Sequence, residues 1–231
     1  MLKYPRTACW PDSPSVPRDD AVLTEVGQFV GSPVVVTEKL DGSNTLLHRG
    51  EVYGRSVAAP STAKWLAMVK KHHAWKVREP DVLLYGEDIY GVHSIGYDPV
   101  PEDATFYAFA LRRLDGSFAP FLTTASYARE RGIPIVPVLF EGVFDSVDRI
   151  RRFMRDAHAQ PSALGGEREG VVMRLAGGFG AEEFRRSVCK SVRANHVQTD
   201  EHWTRNWKPC RIRRGAAVPR ESSSRLHDSA S

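Results

Sequence analysis

Thr37-Glu38-Lys39-Leu40-Asp41-Gly42-Ser43-Asn44 follows directly on the apolar run Pro33-Val34-Val35-Val36. A β-branched run that ends in Asp-Gly reads as a strand stopping at a tight turn. Lys39 then sits at a strand end, two residues before the turn. Burial or neighbouring positive charge lowers a lysine's pKa and makes its amine a covalent nucleophile, and a rigid strand end can hold that amine in line with an electrophile. The competing reading is a surface lysine before an ordinary hairpin turn. Lys-x-Asp-Gly alone does not choose between them.

The order of later segments adds to it: Tyr53-Gly54-Arg55-Ser56, Leu84-Tyr85-Gly86-Glu87, Phe106-Tyr107-Ala108-Phe109, Glu169-Gly170-Val171-Val172-Met173-Arg174 and Val188-Cys189-Lys190-Ser191-Val192. In this succession the chain resembles the covalent nucleotidyltransferases, which include RNA ligases, DNA ligases and capping enzymes. It looks most like the RNA ligase 2 type, through Glu-Lys-x-x-Gly-x-Asn and Glu-Gly-x-Val. The resemblance runs from about Val34 to Lys190.

The resemblance implies an α+β nucleotidyltransferase (ATP-grasp-like) fold, with mixed or antiparallel sheets flanking a nucleotide cleft. It also implies an ATP-dependent RNA ligase using Mg2+ or Mn2+. Lys39 would attack the α-phosphorus of ATP, carry AMP as a phosphoramidate and pass it to a 5′-phosphate RNA end, which a 3′-hydroxyl then seals. Glu38 would accept from the adenine amino group, and Asn44 and Arg55 would touch the phosphate of the nucleotide or of the 5′ end. Glu87 would hold the ribose hydroxyls, with Gly86 letting the backbone come close. Phe109 would stack on adenine, although Tyr107 points the same way along a strand and either aromatic also suits a buried sheet. Glu169 would organise the metal, and Lys190 would neutralise the α-phosphate. The related pattern has Lys-x-Lys where this chain has Val188-Cys189-Lys190, and Arg186 or Arg193 is the expected compensation.

Bulk properties are compatible with this. The 231 residues are 42% hydrophobic and carry a formal net charge of +4, which suits a globular protein and permits a polyanionic partner. Arginine clusters at 151–155, 185–193 and 211–214 are solvated faces or, near a nucleotide, phosphate contacts. The three cysteines, Cys9, Cys189 and Cys210, lack the spacing of a disulfide framework or zinc knuckle. No run approaches the ~20 apolar residues of a membrane span, and no signal-peptide core opens the chain. The expectation is a cytoplasmic protein with no membrane partner.

Prolines 5, 11, 14 and 17 make the lead-in extended. A helix is expected from Asp19-Asp20, with Val22, Leu23, Val26 and Phe29 on its apolar face. Strands are expected at 34–38, 45–49, 52–55, 82–87, 105–112, 135–140, 169–175 and 187–193. Helices are expected at 61–76, capped by Ser61, and at 126–131 and 147–157. Adjacent His72-His73 point in different directions on a helix and make a poor metal pair. The segment 196–203 reads as a second metal site or as a short helix packing through Trp203 and Trp207. Residues 1–210 are expected to form the adenylation domain and 211–231 a basic, serine-rich disordered tail, with no appended OB domain.

Two rival classes stand beside RNA sealing. One is another covalent transfer, by a DNA ligase or a GTP-using capping enzyme. The other is a nucleic-acid-binding module of the same fold that lost the reaction, which the Val188 departure favours and the retained Lys39, Glu87, Glu169 and Lys190 oppose. The RNA ligase reading brings 5′-phosphate and 3′-hydroxyl RNA ends as partners, with an accessory protein as a further expected partner.

Overall fold

The computed structural model describes residues 1–194 and 206–213; the segment 196–203 and the tail from 216 lie outside the described residues. One sheet contains Ala8–Cys9 (β1), Pro33–Lys39 (β2), Val138–Val143 (β8), Gly170–Leu175 (β9) and Val188–Val192 (β10), in the order β1-β10-β9-β2-β8. A second contains Ser43–His48 (β3), Glu51–Tyr53 (β4), Val82–Asp88 (β5) and Phe106–Arg113 (β7), in the order β4-β3-β5-β7. Gly91–Val92 (β6) and Lys208–Pro209 (β11) pair as a small ribbon. The strands pair antiparallel except β1 with β10, as expected for a mixed α+β fold.

The apolar run that opens β2 is explained by burial on both faces. Val34 and Val36 pack with Phe29, Ile150, Met154 and Met173, while Val35 packs with Leu40, Tyr107, Phe121 and Val136. The first core is covered by the helix Val147–His158 (α3), whose buried Ile150, Met154 and Ala157 lie at helical spacing. Ser146 caps it, its hydroxyl accepting from Arg149 N at 3.4 Å. The helix Phe121–Glu130 (α2) lies against β7. It starts a full turn earlier than expected, because Thr124 spends its hydroxyl on Leu111 N (3.2 Å) and Pro120 O (3.3 Å) instead of breaking the helix.

Asp41-Gly42 is not a hairpin turn. Strands β2 and β3 belong to different sheets, so the turn after Lys39 carries the chain across the cleft between them. Two motif glycines sit at close approaches. A Cβ on Gly170 would lie 2.2 Å from Ser191 O, and one on Gly86 would lie 2.3 Å from the Phe106 ring. Gly86 thus makes room for a core aromatic of its own sheet. Gly170→Ala is expected to cost at least the ~1–3 kcal/mol of an overpacked core, read as a lowered melting temperature.

Three expected elements differ. No α-helix forms from Asp19: Cys9 N donates to Ala21 O (2.7 Å) and Leu23 N to Cys9 O (2.9 Å), so these backbone groups serve β1, and only a 3-10 turn at Gly27–Phe29 remains. The expected helix over 61–76 is interrupted, leaving Ala67–His72 (α1) between 3-10 turns at Lys64–Leu66 and Ala74–Lys76. The break falls at His73, whose buried ring bonds Asp103 O at 2.7 Å. The strand expected at 135–140 is split by Pro137, which has no N–H to donate. Val136 N bonds Ala108 O in the second sheet (3.0 Å), while β8 begins at Val138 in the first. Among the described residues no helix is long and apolar enough to cross a membrane.

Candidate active site

Between the sheets lies a cleft of about 860 Å3, and Glu38, Lys39, Asn44, Arg55, Glu87, Phe109, Glu169 and Lys190 all line it. Strand register does the assembling. Lys39 pairs with Gly170, which sets Glu169 beside it, and Lys39 Nζ lies 2.5 Å from Glu169 Oε1. Asn44 stands directly opposite Glu87 in the second sheet. Lys190 pairs with Val172 on one side and Cys9 on the other.

The electrostatics of Lys39 run against the expected lowering of its pKa. Burial does pull the value down, but Glu169, Glu87 and Asp41 together more than offset it, and the net shift is upward. In this state the amine is an ammonium paired with a carboxylate. Asp41 stays below the usual carboxylate range despite burial, because its Oδ2 accepts from Ser94 N, Ser94 Oγ and Ile95 N, each at 2.8 Å. Those bonds brace the turn that follows Lys39.

Burial pushes both Glu87 and Asp88 up to about 8, against the pull of Lys39 on the first and of the Tyr90 N–H on the second. A carboxyl raised in the fold contributes stability below its unfolded pKa and loses it as pH rises through the folded value. Glu87 and Asp88 should therefore lower the wild-type melting temperature as pH rises from about 6.5 to about 8, above the range in which His73, held down to about 4 by burial, acts with the opposite sign. Asp88, fully buried and bonded only through Oδ1 to Tyr90 N (2.9 Å), should carry part of the fall, so Asp88→Asn should flatten the profile. An equally steep profile in the variant would contradict the assignment.

Phe109 lines the cleft and meets Tyr4 edge-on, their ring centroids 5.0 Å apart. Tyr107 is buried in the core beside Leu40 and Phe121, away from the lining. Val188 is buried against Tyr85, Phe118 and Phe184. Neither expected substitute for the missing lysine reaches the cleft: Arg186 is exposed and paired with Glu183, and Arg193 pairs with Glu167 at 2.7 Å. Arg174 lines the cleft instead, but its guanidinium is committed to Phe109 O (3.2 Å) and Ala119 O (3.1 Å).

Sequence reasoning missed Asp20 and Arg168. Asp20 Oδ2 lies 2.5 Å from Lys190 Nζ, with the two side chains 12% and 14% exposed. Arg168 is buried beside Glu38, Nε to Oε2 at 3.5 Å. The lead-in also walls the cleft through Tyr4, Arg6 and Asp19. A side pocket of about 230 Å3 shares Tyr4, Arg6, Asn44, Gly54 and Arg55 with the cleft and adds Lys3.

Residues 32–192 match the sequence model of the RNA ligase family. No curated protein sequence matches the chain, whereas 31 solved chains do. A variant of the Naegleria gruberi RNA ligase with ATP and Mn superposes with a TM-score of 0.53 at 17% identity, over 84% of this chain and 56% of that one. Another variant of that ligase, with AMP and Mn, gives 0.51 at 19% identity over 74% and 52%. An archaeal ATP-dependent RNA ligase gives 0.50 at 17% identity over 83% and 48%. The chain thus shares their fold and spans about half their length.

Proposed function

The chain belongs to the RNA ligase family, and from that premise we propose that it is an ATP-dependent RNA ligase joining 5′-phosphate and 3′-hydroxyl ends through a lysyl-AMP on Lys39. The observation that carries this reading is the Lys39–Glu169 pair, 2.5 Å apart in a cleft whose walls bear Glu38, Glu87 and Lys190. We read the cleft between the sheets as an ATP-grasp-like nucleotide site.

In the first step the Lys39 ammonium gives up a proton to solvent and the free amine attacks the α-phosphorus of ATP: an N–P bond forms, the P–O bond to pyrophosphate breaks, and the nitrogen releases its second proton to solvent. In the second an oxygen of the RNA 5′-phosphate attacks that phosphorus, and the N–P bond breaks with return of a proton to lysine. In the third the 3′-hydroxyl attacks the 5′ phosphorus, losing its proton as AMP departs. Each is an in-line displacement, where positioning and charge neutralisation supply most of the catalysis. Lys190 supplies positive charge at the α-phosphate. Glu87, kept largely protonated at neutral pH, can both donate to and accept from ribose hydroxyls. Phe109 offers a ring face to adenine. Lys3, Arg6 and Arg55 around the side pocket suit the phosphate of the RNA end.

The residues fit a divalent ion. No cluster of three or more His, Cys, Asp or Glu that could hold a metal occurs among the described residues. Mg2+ or Mn2+ needs no such cage: Glu169 would hold it, the remaining ligands coming from phosphate and water. When bound, the ion neutralises charge on the phosphate being transferred. The related structures carrying Mn with ATP or AMP support the same pairing of nucleotide and metal.

The test is incubation with Mg2+ or Mn2+ and ATP or GTP labelled at the α-phosphate, followed by sealing assays on RNA and DNA ends. Acid-labile label from ATP and sealed RNA are expected. Label from GTP alone would move the reading to capping, and sealed DNA without sealed RNA to a DNA ligase. No label and no sealing of pre-adenylated RNA would leave a binding module.

A further inference from the structure

We propose that Arg168 is the positioning residue that sets base selectivity in the cleft, holding Glu38 with one carboxylate oxygen committed to the protein and the other left unpaired for an exocyclic amino group to meet. This deepens the function proposed above and rests on its assignment of Glu38 to the base.

Glu38 lies in β2 among the residues that line the cleft, with its side chain fully buried. Its two oxygens have different surroundings. Oε2 accepts from Ala163 N at 2.9 Å and is ion-paired with Arg168, whose Nε stands 3.5 Å away without a hydrogen bond, whereas Oε1 is buried with no hydrogen-bond partner. A buried acceptor left unmade costs ~1–3 kcal/mol, so a ligand that brings an N–H to Oε1 recovers that cost. Adenine carries an amino group at the carbon where guanine carries a carbonyl. The first satisfies the unpaired oxygen; the second sets oxygen against oxygen.

Discrimination of this kind needs a carboxylate that cannot turn away, and the surroundings of Oε2 supply that restraint. Arg168 is 7% exposed, lies outside the cleft lining, and donates through Nη1 to Ala157 O near the end of α3 at 2.7 Å. Ala163 is presented by a turn closed by Ser162 N to Gly166 O (3.0 Å) and Gly165 N to Ser162 O (3.1 Å). Gly165 and Gly166 both take positive φ, 80° and 74°, which glycine adopts without strain. The turn is tied down by Asp98 N donating to Leu164 O at 2.9 Å. Arg168 thus acts on the base through Glu38 alone.

The experiment is equilibrium binding of ATP and of GTP to the full chain, with thermal melting in parallel, for wild type, Arg168→Gln, Arg168→Lys and Glu38→Gln. Wild type should prefer ATP. Arg168→Gln should lose about tenfold of that preference, chiefly through weaker ATP binding. Arg168→Lys restores charge but cannot serve both Ala157 O and Glu38, and should lie between. A general loss of packing would weaken both nucleotides together and leave their ratio intact. An unchanged ratio in folded Arg168→Gln, or in Arg168→Lys should the glutamine variant not fold, overturns the inference when Glu38→Gln does lose the preference. If Glu38→Gln also keeps it, the assignment of Glu38 to the base fails, and the inference with it.

Discussion

Lys39→Ala protein is expected to take up no label from α-labelled ATP and to seal no 5′-phosphate RNA while remaining folded. The loss should be complete within detection, because the proposed mechanism makes this lysine the covalent participant and no other amine among the described residues occupies its place. Lys190 is held by Asp20. The fold should survive: Lys39 is only half-buried, and its side-chain bond is to Glu169, so its removal opens no core cavity. It does leave the buried Glu169 carboxylate without its ammonium, which should lower the melting temperature of the folded variant. Lys39→Arg is expected to be equally silent, since a guanidinium stays protonated and is no nucleophile at neutral pH. Labelling of Lys39→Ala at the wild-type rate would end the covalent reading.

The strands that carry the chemistry were legible because their signals are local. Val34 to Val36 announce a buried strand, and Glu169-Gly170-Val171-Val172 announces another. Lys39 and Glu169 were both chosen from motif order, yet their 2.5 Å contact depends on the pairing of Lys39 with Gly170, which no short window shows. The direction of the Lys39 pKa shift was misjudged for the same reason. Desolvation can be guessed from an apolar neighbourhood, but the carboxylates that outweigh it come from three separate segments.

The lead-in was harder to read. Val22, Leu23, Val26 and Phe29 do satisfy helical spacing, and Phe29 is indeed buried, but backbone hydrogen bonds to Cys9 take the chain elsewhere. Spacing reports which side chains are apolar and says nothing of which carbonyl the backbone N–H groups will find. Arg168 illustrates a different limit. It stands one residue before Glu169, inside the recognisable motif, but its importance lies in Glu38, 130 positions away in sequence from Arg168.

Asp20 and Lys190 make the second large prediction, with opposite signs for the two residues. Lys190→Ala should slow adenylylation by ~10²–10³-fold, the size of effect seen when one preorganised donor to a developing oxyanion is removed. Asp20→Asn should instead tighten ATP binding by about tenfold. Asp20 holds Lys190 at 2.5 Å inside the cleft, so an incoming phosphate competes with a carboxylate already in place, and removing that charge removes the competition. The same change should destabilise the nucleotide-free protein, because a largely buried lysine loses its counter-charge, a loss worth up to ~3–5 kcal/mol for a fully buried pair. The two effects separate in one measurement: Asp20→Asn should melt lower than wild type without ATP, and its melting temperature should rise more on adding ATP. If ATP instead binds more weakly to Asp20→Asn, then Asp20 orients the Lys190 ammonium toward the phosphate, and the lead-in belongs to the catalytic machinery as a support for that lysine.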